Sequence, residues 1–117
     1  KFKNSVNTLI SDISKVMPNS SIIVTSHNDH LRNEKTLNNT IPLARDILKD
    51  VAKENGCLFW DFYEIMGGLG SSHDWYNKGW MYKDMVHLSK EGYRQQARLF
   101  FNSFMNALEK TDITMKD

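Results

Sequence analysis

Asp84-Met85-Val86-His87-Leu88-Ser89 is the stretch whose residue types and spacing best suit chemistry. An Asp three residues ahead of a His can fold back so that its carboxylate accepts the imidazole Nδ1 proton. That bond selects one tautomer and leaves Nε2 free to take a proton from a hydroxyl. This is the division of roles in a serine hydrolase triad, with Asp84 orienting and His87 acting as base. Spacing alone is a weak signal, because Asp-x-x-His arises by chance and a loop His that only caps or hydrogen-bonds is commoner.

The other chemistry-bearing residues have plainer readings. His27, Asp29 and His30 are of metal-ligating type, but no third or fourth ligand is evident and a polar turn with solvated side chains is the simpler account. Ser71 and Ser72 lie in a glycine-rich loop without the Gly-x-Ser-x-Gly pattern of a nucleophile elbow, and read as flexible loop serines. Gly67, Gly68 and Gly70 lack the strand, lysine and helix of a phosphate loop and read as turn formers. Trp75, Trp80 and Tyr82 suit either a platform for a sugar ring or acyl group or burial against a sheet. The lone Cys57, at a strand start, reads as a small buried residue; it excludes an internal disulfide and a cysteine-based zinc site.

These residues need a scaffold, and the hydrophobic pattern supplies one. Phe2, Val6, Leu9, Ile10, Ile13, Val16 and Met17 recur at helical spacing up to a stop at Pro18-Asn19. Ile22-Ile23-Val24, within residues 20–26, is a β-branched run without polar alternation, as in a central strand covered on both faces. A polar loop (27–39) precedes a helix capped by Thr40, with Pro42 in its first turn and Ile41, Ala44, Ile47, Leu48, Val51 and Ala52 on one face, ending at Asn55-Gly56. Leu58, Phe59, Trp60 and Phe62 make a second strand. The order strand, helix, strand implies parallel pairing through a right-handed crossover, hence an α/β class. Residues 63–88 form a loop long enough to hold a site. Ser89 can cap a last helix with Tyr93, Ala97, Phe100, Phe101, Phe104 and Leu108 as its buried stripe, and residues 111–117 read as a flexible tail. Two buried-type strands alone leave an unpaired sheet edge, so the sheet reads as incomplete.

Composition narrows the function classes. The chain has 117 residues, 40% hydrophobic and 25% charged, which suits one ordinary globular domain. Fifteen Lys and Arg against 14 Asp and Glu, scattered without a stripe, argue against nucleic acid binding. Apolar runs are only a few residues long, far short of the roughly 20 that cross a bilayer. The first residue is Lys1 rather than Met, and a helical pattern starts almost at once, which reads as a processed or excised segment.

The segment from Trp60-Asp61-Phe62-Tyr63 through Gly67-Gly68-Leu69-Gly70-Ser71 and Trp75-Tyr76 to Lys83-Asp84-Met85-Val86-His87-Leu88-Ser89-Lys90-Glu91-Gly92-Tyr93 resembles the C-terminal part of SGNH/GDSL hydrolases, particularly bacterial O-acetylesterases of polysaccharide or peptidoglycan. The resemblance covers most of the chain by element order and is specific from Asp61 to Tyr93. It implies that residues 1–110 are the C-terminal half of a flavodoxin-like, three-layer SGNH hydrolase domain, covering the last strands and helices, and that Asp84 and His87 are two members of its triad. It further implies a carboxylic-ester substrate such as an acetylated carbohydrate, no cofactor, and a periplasmic or secreted setting. The family's Gly-Asp-Ser nucleophile block and Gly-x-Asn-Asp block are not in this sequence, so the missing N-terminal half of the domain is expected as a partner and the chain alone is expected to be inactive. Ser26-His27-Asn28-Asp29 has a superficial likeness to the asparagine block. It follows the strand that the family puts after that block, so it reads as a loop near the site and not as the oxyanion hole. A reading of another class, a non-catalytic binding or assembly module, has the free sheet edge pairing with a partner or a second copy of the chain, and makes function independent of His87.

Overall fold

The computed structural model describes the backbone of residues 1–116 and the side chains of residues 1–110. The first apolar repeat becomes helix α1 (Phe2–Val16), followed by strand β1 (Ile23–Thr25). Two short strands, β2 (Leu31–Arg32) and β3 (Thr36–Leu37), precede helix α2 (Thr40–Glu54) and strand β4 (Leu58–Trp60). Helices α3 (Phe62–Met66), α4 (Ser71–Asn77) and α5 (Lys90–Lys116) complete the order. The expectation of a flexible tail at 111–117 falls on residues whose side chains lie outside the described part.

β1 and β4 pair in parallel, Val24 opposite Phe59, with α2 as the crossover, so the α/β class is what the chain adopts. α2 lies against both strands and against α1, burying Ile41, Leu48, Val51 and Ala52. Arg45 of α2 ties this layer to the end of β4: its guanidinium donates to Asp61 at 3.0 Å and Asp46 at 2.7 Å and lies over the Tyr63 ring. Burial pulls the Arg45 pKa down, but the hydrogen bonds to Asp61 and Asp46 outweigh it and leave the group above its ordinary value.

Three sequence expectations are corrected here. The polar loop 27–39 contains the antiparallel β2–β3 hairpin, turned by Asn33 (φ 50°) and Glu34 (φ 64°); strands of two residues carry no alternation that a pattern could reveal. The 63–88 segment is not one loop but holds α3 and α4, both too short for a helical period to register. Thr40 does not cap α2 but is its first residue: the N-cap position is Asn39, without a side-chain cap bond, and Asn38 Oδ1, one residue further out, accepts from the Thr40 N–H at 3.2 Å. The Asn55-Gly56 stop holds, with Gly56 at φ 66°.

β1 is not covered on both sides. Leu58 N–H donates to Ile22 O and Ser26 N–H to Trp60 O, so the alternating backbone groups of Ile23 and Thr25 point the other way, and no described strand pairs with them. Along that edge runs an apolar groove of about 370 Å³ lined by Phe2, Leu9 and Ile13 of α1 with Ile23 and Leu48. Accordingly α1 buries only Ile10 of its apolar face, with Leu9 58% and Val16 81% exposed. The predicted stripe of α5 is likewise mostly uncovered: Tyr93, Ala97, Phe101, Phe104 and Leu108 are exposed, and Phe100 with Leu99 makes the core contact. Cys57 is half-buried rather than buried.

The core sits at the C-terminal end of β4. Phe62 stacks on Trp60 at 5.2 Å and meets Trp75 edge-on at 5.6 Å; Trp75 meets Trp80 at 5.1 Å, and Phe100 closes on Trp60 at 5.0 Å. Each such aromatic pair contributes about 0.5–1.5 kcal/mol beyond area burial. Met66, Met81 and Leu88 complete the cluster.

Candidate active site

Leu88 and Met81 pair as an isolated antiparallel bridge with both side chains in the aromatic core. Tyr82 N–H donates to His87 O and Ser89 N–H to Trp80 O, each at 2.9 Å, so residues 82–87 form a closed turn standing on that core. The turn is tight enough to hold Met85 at φ 58°, a left-handed conformation unusual for a residue with a side chain, with its N–H donating to Tyr82 O at 3.0 Å.

Within this turn Asp84 does fold back. Its Oδ1 accepts from the Val86 N–H at 2.9 Å and the His87 N–H at 3.1 Å, and its Oδ2 lies 2.7 Å from His87 Nδ1. The bond from His87, then the backbone bonds from Val86 and His87, lower the Asp84 pKa from 3.8 to about 2. The carboxylate is therefore ionised across the physiological range and is placed to accept a proton from His87 Nδ1. The side chains stay open to solvent, His87 67% and Asp84 42% exposed, and no described group hydrogen-bonds to Nε2. An oriented imidazole with an accessible Nε2 can accept a proton from a hydroxyl and return it to a leaving group.

Ser89 caps α5 immediately after the turn: its Oγ accepts from the Gly92 N–H at 3.1 Å and donates to Gly79 O at 2.7 Å. Gly92 is needed for a reason that its spacing did not disclose. A Cβ there would stand 1.9 Å from the Trp80 carbonyl oxygen, so the helix approaches the turn more closely than any side chain permits.

The remaining candidates are dispersed. Asp29 is not solvated, as a polar turn would have it, but fully buried, its Oδ2 accepting from the Ser72 N–H at 3.0 Å. Ser71 and Ser72 are not flexible loop serines; both are buried in the first turn of α4. Ser26, at the end of β1, is buried and links the strand ends, donating to Asp61 and accepting from the Tyr63 N–H. His30 Nδ1 lies 3.3 Å from Asn28 O and its Nε2 3.2 Å from Asn38 Nδ2, and no group of three metal-ligating side chains occurs among the described residues. Trp75 is buried and Trp80 half-buried in the core, whereas Tyr82 stays 56% exposed. Gly67, Gly68 and Gly70 all take positive φ, and a Cβ on Gly67 would meet Ser71 Cβ at 2.9 Å, in keeping with turns. One participant escaped sequence reasoning as part of the turn: Asn28, whose Nδ2 donates to Val86 O at 3.0 Å across 58 residues of sequence.

No family model matches the chain, and no curated protein matches it in sequence. Its fold is similar to that of a solved peptidoglycan O-acetylesterase, with a TM-score of 0.84 and 24% sequence identity over 92% of this chain. The chain spans 32% of that protein's length. The parallel α/β arrangement of this chain is thus shared with part of that solved structure.

Proposed function

We propose that this chain is part of a carboxylic-ester hydrolase that removes acetyl groups from a carbohydrate such as peptidoglycan, with Asp84 orienting His87 as its general base. The observation that carries this reading is the 2.7 Å bond between Asp84 Oδ2 and His87 Nδ1 on an exposed His87 side chain. The shared fold with a peptidoglycan O-acetylesterase supports the substrate class. The nucleophilic serine comes from a segment outside these 117 residues. Among the described serines, Ser26, Ser71 and Ser72 are buried and the hydroxyl of Ser89 caps α5.

In this mechanism His87 Nε2 takes the proton of the serine hydroxyl as its oxygen adds to the ester carbonyl carbon. The tetrahedral intermediate collapses, the bond to the sugar oxygen breaks, and the same proton passes from His87 to that oxygen. Water then repeats the sequence on the acyl-enzyme and releases acetate. Asp84 stays ionised throughout, holding the tautomer and stabilising the imidazolium.

The test is ester hydrolysis by the protein carrying this chain together with its nucleophile segment. His87→Ala should lower the turnover number by several orders of magnitude, and His73→Ala, exposed on α4, should leave it near normal. Near-normal turnover in His87→Ala would remove the catalytic reading. The open β1 edge and its apolar groove favour a second reading, an assembly module, in which neither substitution matters but polar substitution in the groove does.

A further inference from the structure

The Asp84–His87 turn cannot hold itself. Met85 sits in the left-handed region, which costs on the order of 1–3 kcal/mol and persists only where surrounding structure over-determines it. Asp84 engages the N–H groups of Val86 and His87, and Tyr82 O engages that of Met85. The two carbonyls of Met85 and Val86 are held from elsewhere, by the loop that follows β1. Leu31 N–H donates to Met85 O at 3.0 Å, and the Asn28 side-chain amide donates to Val86 O at 3.0 Å.

The orientation of that amide is determined by its partners. Asn28 Nδ2 also lies 3.0 Å from Asp29 O, so both of its contacts are carbonyl oxygens and only the NH2 end can serve them. The loop is in turn fastened to the start of α2. Asn38 Oδ1 is committed to the Thr40 N–H, so its Nδ2 is the group that faces His30 Nε2 at 3.2 Å; Nδ1 of His30 then carries the proton and donates to Asn28 O. A continuous line of hydrogen bonds runs from the α2 N-terminus through His30 and Asn28 to the residue preceding His87.

We infer that Asn28 is a positioning residue for the base: it touches no reacting atom, and acts by holding the Val86 carbonyl so that His87 Nδ1 stays aligned on Asp84. This rests on the reading of His87 as the base. Asn28→Asp is the isosteric probe, because it sets acceptor oxygens against the two carbonyls that now receive N–H groups.

In the hydrolytically active protein Asn28→Asp should lower kcat about tenfold or more with KM changed by less than about twofold, since a small misplacement of a base slows chemistry without weakening ground-state binding. Long-range proton–nitrogen NMR of the 117-residue chain should show the His87 Nδ1–H tautomer giving way to Nε2–H in the variant. Turnover within about twofold of wild type, in a protein that His87→Ala inactivates, would overturn the inference while sparing the reading of the base. Loss of no activity in His87→Ala would instead remove the base itself. Should Asn28→Asp fail to fold, hydrogen exchange decides: Asn28 side-chain protons exchanging as fast as those of a free amide in the wild-type chain would overturn the clamp, and protection would support it.

Discussion

Gly92→Ala offers a test in which two physical effects predict opposite signs. In the interior of an exposed helix Ala is favoured over Gly by about 0.8–1 kcal/mol. Here the added Cβ would lie 1.9 Å from Trp80 O, 2.9 Å from Trp80 C and 3.2 Å from Leu88 Cβ. The first two are backbone atoms, so no rotamer change relieves the overlap. α5 and the 79–81 segment must separate by about 1 Å to reach even 3.0 Å. That displacement pulls on the Ser89 N–H to Trp80 O bond and on the Ser89 Oγ cap of Gly92, each worth about 1 kcal/mol, and on the packing of Leu88 against the aromatic core. Overpacking of this kind costs about 1–3 kcal/mol, and with the lost bonds it exceeds the helix-propensity gain, leaving a net loss of about 2 kcal/mol. For a domain of this size that is a fall in Tm of about 10 °C, measurable by circular dichroism melting. Because Leu88 and Ser89 anchor the His87 turn, hydrolysis should fall as well. A Gly92→Ala chain as stable as wild type, or more so, would refute the close-approach argument and leave propensity as the only effect.

The Asp84 carboxyl titrates at about 2 in the folded chain against 3.8 ordinarily, so its contribution to stability is complete above its unfolded value and is lost as pH falls through the folded one. Asp84→Asn, which resembles the protonated acid, should therefore lower Tm near neutrality with the difference closing towards pH 2; an equal difference at both ends would contradict the assigned shift. In the active protein, Asp84→Ala combined with His87→Ala should cost little more turnover than the worse single change, and additive losses would show that the two do not work as a unit. The 117-residue chain by itself should hydrolyse an aryl acetate negligibly, and saturable hydrolysis blocked by a serine-directed phosphonate would refute an external nucleophile. The open β1 edge should make the chain self-associate, seen in light scattering from micromolar to millimolar concentration; a monomer throughout would mean that the edge is protected in solution.

The sequence by itself determined what is local. Apolar residues at helical spacing located α1 and α2, β-branched and aromatic runs located β1 and β4, and their alternation required a parallel pair. Asp84 and His87 were legible because their bond spans three residues, a distance at which the chain's own turn geometry can bring the groups together. The tertiary structure decided everything that depends on two distant segments meeting. Asn28 reaches Val86 across 58 residues and Asp29 reaches Ser72 across 43, and no periodicity encodes such contacts. Gly92 looked like any helical glycine until the Trp80 carbonyl lay against it. The apolar faces of α1 and α5 were read as buried because patterning reports which side of an element avoids water, not whether a neighbour is there to cover it. Only the folded chain reveals that β1 has a strand on one side and an open apolar groove along the other.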